Sequence, residues 1–164
     1  MLQKKICMLG AFGVGKTSLV RRFVDTIFSD NYLTTVGVKL DKKTLVVGAE
    51  TVNLILWDIA GEDDTSAVRT TYLRGSAGYL LVADGTREST LDVACSIHSR
   101  AEAEIGRVPF MLLVNKCDLR SEWAISEGRL GELAALGWTI RPTSAKTGES
   151  VEAAFQEMAE RAVR

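Results

Sequence analysis

The stretch GAFGVGKTS, Gly10–Ser18, follows an apolar run, Lys5–Leu9, and opens a segment whose apolar residues recur every three or four positions. Gly10, Gly15, Lys16 and Thr17 satisfy G-x-x-x-x-G-K-[ST] in the strand, loop and helix context that a phosphate-binding loop requires. The glycines let the backbone curl so that N–H groups from Gly13 through Val14, Gly15, Lys16 and Thr17 to Ser18 point inward. The helix N-terminus adds the positive end of its dipole. Lys16 supplies a point charge for β- and γ-phosphates, and the Thr17 hydroxyl is placed to ligate Mg²⁺. Phe12 is out of character, a large ring in the turn that would face the last phosphate. The loop thus implies a nucleotide and leaves open whether the protein cleaves it or mainly holds it.

Outward from this loop, strand-length apolar runs alternate with helical periods, the pattern of an α/β domain with a mostly parallel sheet. The first helix begins near Lys16 and turns Leu19, Val20, Phe23, Val24 and Ile27 inward. Val38–Val47 and Thr51–Ile59 are joined by Gly48, Ala49 and Glu50, a connection suited to an antiparallel hairpin, so the sheet is expected to be mixed. GYLLVA, Gly78–Ala83, and VPFMLLV, Val108–Val114, read as central strands covered on both faces. Helices are expected at about Ser89–Ile105, Glu127–Leu136 and from Ser150 onward, with a last strand at Trp138–Arg141. The 164 residues suit one domain, 1–164, without repeats or linkers.

Composition narrows the class. Hydrophobic residues make up 46% and charged residues 25%, as in globular proteins. A net charge of −1 gives no general attraction to nucleic acid or anionic membranes, so anion binding must come from a local site. Cys7, Cys95 and Cys117 are far apart and lack metal-ligand spacing, which suits reduced thiols in the cytoplasm. The N-terminal run is too short for a signal peptide or spanning helix, and ERAVR at the end has no cysteine to prenylate.

Three further segments end strands. In DIAG, Asp58–Gly61, the aspartate can hold magnesium through water and Gly61 can bring its N–H to a terminal phosphate. NKCD, Asn115–Asp118, falls at the carboxyl edge of the sheet, where open α/β folds bind ligands. The Asp118 carboxylate can accept from guanine N1–H and the 2-amino group. Adenine offers no donor at either place and would leave the carboxylate unpaired. Asn115 can brace the loop and meet the base edge, and the Lys116 stem can lie over the ring. TSAK, Thr143–Lys146, has the same placement, with Ser144 and Lys146 flanking the Ala145 N–H that can reach the guanine 6-oxygen.

With these segments in order, the whole chain resembles the Ras-like small GTPases, and YLRGSAGYLLVAD, Tyr72–Asp84, is particularly similar to the Rab branch. The resemblance implies a phosphate-loop G domain of six strands with one antiparallel and helices on both faces. It also implies a monomer that binds GTP and GDP with Mg²⁺ and switches on hydrolysis. FSDNYLTTVGV looks like the first switch, with Phe28 flanking guanine and Thr35 closing over Mg²⁺ and γ-phosphate. WDIAGED looks like the start of the second. Hydrolysis releases the contacts that Thr35 and Gly61 make, and effector and regulatory proteins read loops at about 28–40 and 60–75. Tyr32, Val36, Val38, Trp57 and Tyr72 are candidates for that surface.

Two residues depart from the family pattern. Glu62 aligns with the water-orienting glutamine. A carboxylate lacks the amide donor, and its charge opposes the γ-phosphate, so intrinsic hydrolysis is expected to be slow. Phe12 stands where many relatives have glycine and can crowd the catalytic water or an arriving arginine. Alternatives are a nearly inactive GTP-loaded module that recruits effectors, and a phosphate-loop kinase or ATPase. The latter is disfavoured by Asp118.

Overall fold

The structure is a computed structural model that describes residues 1–24, 32–33, 38–60 and 70–164, with the backbone alone at 32, 33 and 70. Its elements run β1 Leu2–Gly10, α1 Lys16–Val24, β2 Tyr32–Leu33, β3 Val38–Val47, β4 Glu50–Ile59, β5 Gly78–Asp84, α2 Ser89–Ile105, β6 Phe110–Asn115, α3 Glu127–Ala135, β7 Ile140–Pro142 and α4 Val151–Ala162. One sheet has the order β2-β3-β4-β1-β5-β6-β7. The six expected strands are all present, and the two-residue β2 extends the edge beside β3.

The hairpin is antiparallel throughout, from Val38 opposite Ile59 to Val47 opposite Glu50. Gly48 and Ala49 alone connect it, and Gly48 takes φ 61°, which only glycine adopts freely at the first position of so tight a turn. The pairs β4–β1, β1–β5, β5–β6 and β6–β7 are parallel. The carboxyl ends of β1, β4, β5, β6 and β7 therefore share one edge of the sheet. The strand order reverses beside β1, the place where open sheets of this kind form a ligand crevice.

Alternation along the central strands divides the core in two. Ile6, Met8, Leu54, Leu80 and Met111 pack under α1 and α4, where the Phe23 and Phe155 rings stack with centroids 4.2 Å apart. Cys7, Leu9, Tyr79, Leu81 and Leu112 face α2, where Leu91, Ala94, Ile97 and Ala101 are buried as their spacing predicts. Burying a side chain such as Phe155 contributes about 2–3 kcal/mol.

The last strand differs from expectation, running Ile140–Pro142 and not Trp138–Arg141. Trp138 instead packs edge-on against His98 and Phe110, and Gly137, with φ 94°, ends the turn after α3. His98 belongs to the edge of this aromatic cluster, bonded to the Tyr79 hydroxyl at 2.8 Å through Nδ1.

Candidate functional site

The phosphate-loop motif curls from the end of β1 into the first turn of α1. Gly13 and Gly15 take φ 75° and 101°, and Leu19 N–H donates to the Gly15 carbonyl at 2.9 Å, so the helix starts directly on the loop. Lys16 is 7% exposed, its Nζ donating to the Gly10 carbonyl at 3.2 Å and the Ala11 carbonyl at 3.0 Å. Burial pushes its ammonium down to about 8, and Asp58 acts in the opposite direction. A buried cation of this kind is stabilised by a nearby anion.

Asp58, near the end of β4, accepts a short hydrogen bond from the Thr17 hydroxyl. Two oxygen donors of the hard type that Mg²⁺ favours thus lie side by side next to Lys16. The donor set fits a magnesium-bound polyphosphate. A cavity of about 590 Å³ opens here, with Gly13, Gly15, Lys16, Thr17 and Asp58 in its wall. Phe12 is 74% exposed at its mouth, and its carbonyl accepts from Arg87 Nη2 at 2.9 Å.

The NKCD loop leaves β6 with Lys116 in the left-handed region at φ 70°. Asn115 is buried and faces two ways. Its Nδ2 donates to the Val14 carbonyl at 3.0 Å, while its Oδ1 accepts from Thr143 Oγ1 at 3.3 Å and Ala145 N–H at 3.2 Å. This one side chain ties together the phosphate loop, NKCD and TSAK. A Cβ at Gly15 would stand 2.3 Å from Asn115 Nδ2, so that glycine also makes room for the amide.

Lys116 reaches back across the gap, its Nζ 2.7 Å from Asp84 Oδ2 and donating to the Gly13 carbonyl at 3.2 Å. Asp118 Oδ1 accepts from Ser144 Oγ at 2.7 Å, and Thr147 N–H donates to the same hydroxyl at 3.1 Å. Arg22 Nη2 donates to the Thr147 carbonyl at 2.8 Å and anchors TSAK to α1. A second cavity, of about 410 Å³, is lined by Asn115, Lys116, Asp118, Ala145 and Lys146. It shares Gly15, Ser18 and Lys116 with the phosphate cavity. A further cavity of about 420 Å³ lies by Cys117, Trp123 and Leu130 and includes no residue of the phosphate loop.

Sequence reasoning carried Asp84 only as the last residue of a family-like segment. In the fold it is a hub, 1% exposed, accepting from Thr86 N–H and Oγ1 and paired with Arg87 as well as Lys116. Burial would raise its carboxyl, but the bonds from Lys116, Thr86 and Arg87 outweigh burial and hold it at about 2. The signal in the sequence is a carboxylate ending a fully apolar strand, where an unpaired charge is costly.

Of the expected partner surface, Val38 is corrected, because it is buried against the core with Ile59 and Leu73 and presents no contact surface. Trp57 and Tyr72 are half-buried. The Lys5 ammonium lies 3.6 Å over the Trp57 ring and donates to the Tyr72 and Arg74 carbonyls. Phe28, Thr35, Gly61 and Glu62, with Val36 and the side chain of Tyr32, lie outside the described residues.

Comparison with known proteins agrees with this geometry. The Ras family model matches residues 5–164. The chain belongs to the Ras family. This Ras-family chain is 34% identical to Ras-related protein Rab-8B of Homo sapiens over 158 residues, 94% of the chain and 76% of that protein. Ras-related protein Rab-8A of Mus musculus matches to the same extent. Ras-related protein Rab-10 of Caenorhabditis elegans is 34% identical over 159 residues, 95% of the chain and 79% of that protein. The chain is therefore a Ras-like small GTPase, similar to Rab proteins along most of its length.

Proposed function

We propose that this chain is a monomeric, single-domain guanine-nucleotide switch of the cytoplasm that binds GTP and GDP with Mg²⁺ and hydrolyses GTP slowly until a partner assists. The observation that carries this reading is the continuity of the two cavities across Gly15, Ser18 and Lys116, one walled by phosphate-type groups and the other by base-type groups. Three unpaired cysteines suit a reducing compartment.

In this reading Lys16 and the N–H groups from Gly13 to Ser18 hold the phosphates, and Thr17, Thr35 and Asp58 hold the metal. Bound Mg²⁺ supplies charge neutralisation at the β- and γ-phosphates. Asn115, Lys116, Asp118, Ser144, Ala145 and Lys146, with Phe28, form the base pocket. Asp118 selects guanine because only that base presents two donors to one carboxylate. Gly61 and Glu62 act at the terminal phosphate, and the loops at about 28–40 and 60–75 meet effectors and regulators.

Slow turnover rests on Glu62, which cannot donate as a glutamine amide does, and on the exposed Phe12 ring at the mouth of the phosphate cavity. Single-turnover GTP hydrolysis by the magnesium-loaded protein, beside Glu62→Gln and Phe12→Gly, tests this. The expected result is a slow unaltered protein and a rise of roughly a hundred- to thousandfold in at least one variant, the scale of one transition-state hydrogen bond. An unaltered protein as fast as both variants would overturn slow switching.

A further inference from the structure

Lys39 falls at the end of the partner loop of about 28–40 and has no place among the phosphate, metal and base residues named above. It lies on β3 directly opposite Asp58 in the β3–β4 ladder, so both side chains leave the same face of the sheet. Its side chain is 16% exposed and lines the phosphate cavity with Lys16, Thr17 and Asp58. Among the described residues no hydrogen-bond acceptor meets its buried Nζ. The Asp41 carboxylate, 3% exposed, lies 3.7 Å away as an ion pair, and its Oδ2 also has no donor within hydrogen-bond reach. Buried polar atoms are nearly always satisfied, and an ammonium carries three donors.

The position of Lys39 in the cavity decides which acceptor suits it. The phosphate and base cavities meet at Gly15, Ser18 and Lys116, and Lys39 is absent from the base side. It stands on the wall that Asp58, Ile59 and Ala60 form at the end of β4. A nucleotide whose base rested by Asp118 would run its phosphates past the shared residues into the cavity that Lys39 lines.

We propose that Lys39 is a second lysine for the terminal phosphate and gives the site a preference for triphosphate over diphosphate. The proposal rests on the guanine-nucleotide reading above. Asp41 offsets part of the cost of burying the ammonium. With a diphosphate bound, Lys39 would add positive charge to the cavity where Thr17 and Asp58 would hold Mg²⁺, whereas a γ-phosphate would bring negative charge to offset it. Both effects move the preference in the same direction.

The test is equilibrium affinity for GDP and for the non-hydrolysable imido analogue of GTP, each by competition with a fluorescent GDP analogue at fixed Mg²⁺. Lys39→Met, Lys39→Arg and the double variant Lys39→Met/Asp41→Asn are compared with the unaltered protein. The double variant leaves no orphaned buried carboxylate and keeps the test available should Lys39→Met fail to fold. The triphosphate-to-diphosphate preference is expected to fall about tenfold in both Met variants, the scale of one charge-assisted hydrogen bond. GDP affinity should stay within about threefold, and Lys39→Arg should retain the preference. A structural role alone would weaken both nucleotides together, and that result overturns the proposal. So does an unchanged preference in a double variant that binds GDP normally. An unaltered protein that binds neither nucleotide overturns the guanine-nucleotide reading itself.

Discussion

Asn115 Nδ2 donates to the Val14 carbonyl at 3.0 Å, joining two loops whose residues are 101 positions apart in the chain. The same side chain accepts from Thr143 and Ala145, so the three loops at the sheet edge share one buried amide. Asn115→Ala removes all three bonds and strands the Val14 carbonyl. Stability is expected to fall by about 1–3 kcal/mol in urea unfolding. Release of a fluorescent GDP analogue is expected to accelerate about tenfold or more, since the loops no longer hold one spacing. Release at the unaltered rate would mean that the amide does not set that spacing.

Gly15→Ala attacks the same contact from the other side. The new Cβ meets Asn115 Nδ2 at 2.3 Å, on a backbone at φ 101° that alanine resists. A loss of about 2 kcal/mol or more is expected from strain and crowding together. Gly131→Ala, on α3 where the added methyl meets nothing within 4 Å, should instead stabilise by about 0.5–1 kcal/mol. Thermal unfolding of both variants checks the contrast, and equal effects would contradict it.

Base selection is tested by deleting one donor from the nucleotide. Inosine nucleotides lack the guanine 2-amino group, so the unaltered protein should bind IDP roughly ten- to hundredfold more weakly than GDP. Asp118→Ala should weaken GDP and bring the two nucleotides within about threefold, because the carboxylate that reads the amino group is gone. A difference that survives the substitution would assign the reading of that group to another residue.

Asp84 carries the acid sensitivity of the site. Its folded carboxyl lies at about 2, below the ordinary 3.8, because bonds from Lys116, Thr86 and Arg87 outweigh its burial. A depressed carboxyl contributes stability that is complete above about pH 4 and is lost as pH falls toward 2. Asp84→Asn is therefore expected to destabilise at pH 7 by about 3 kcal/mol, the scale of breaking a buried pair. The difference from the unaltered protein should shrink as pH drops from 4 to 2. Chemical unfolding across that range measures it, and a constant difference would refute the assignment.

How much was legible in the sequence follows from how local each signal is. Helix α2 matches its predicted bounds because its apolar spacing and flanking polar residues lie within one short segment. The hairpin, the phosphate loop and the polar turns after β4 and β6 were readable for the same reason, since turn chemistry and strand period act over a few residues. Trp138 misled because an aromatic residue beside a strand-like run was claimed by the cluster around His98, which no local pattern reveals.

The amino-acid sequence by itself determined the chemistry, namely which groups can bind phosphate, metal and guanine, and the alternation of elements that carries them. The tertiary structure decided which of these groups meet. Parallel strands bring the ends of β1, β4, β5, β6 and β7 to one edge, so that Lys116 finds Asp84 and Asn115 finds Val14. It also placed Lys39 in the phosphate cavity, through a ladder position opposite Asp58. Contacts between distant segments depend on strand order and register, which are set by packing of the whole sheet and are not written in any single stretch of chain.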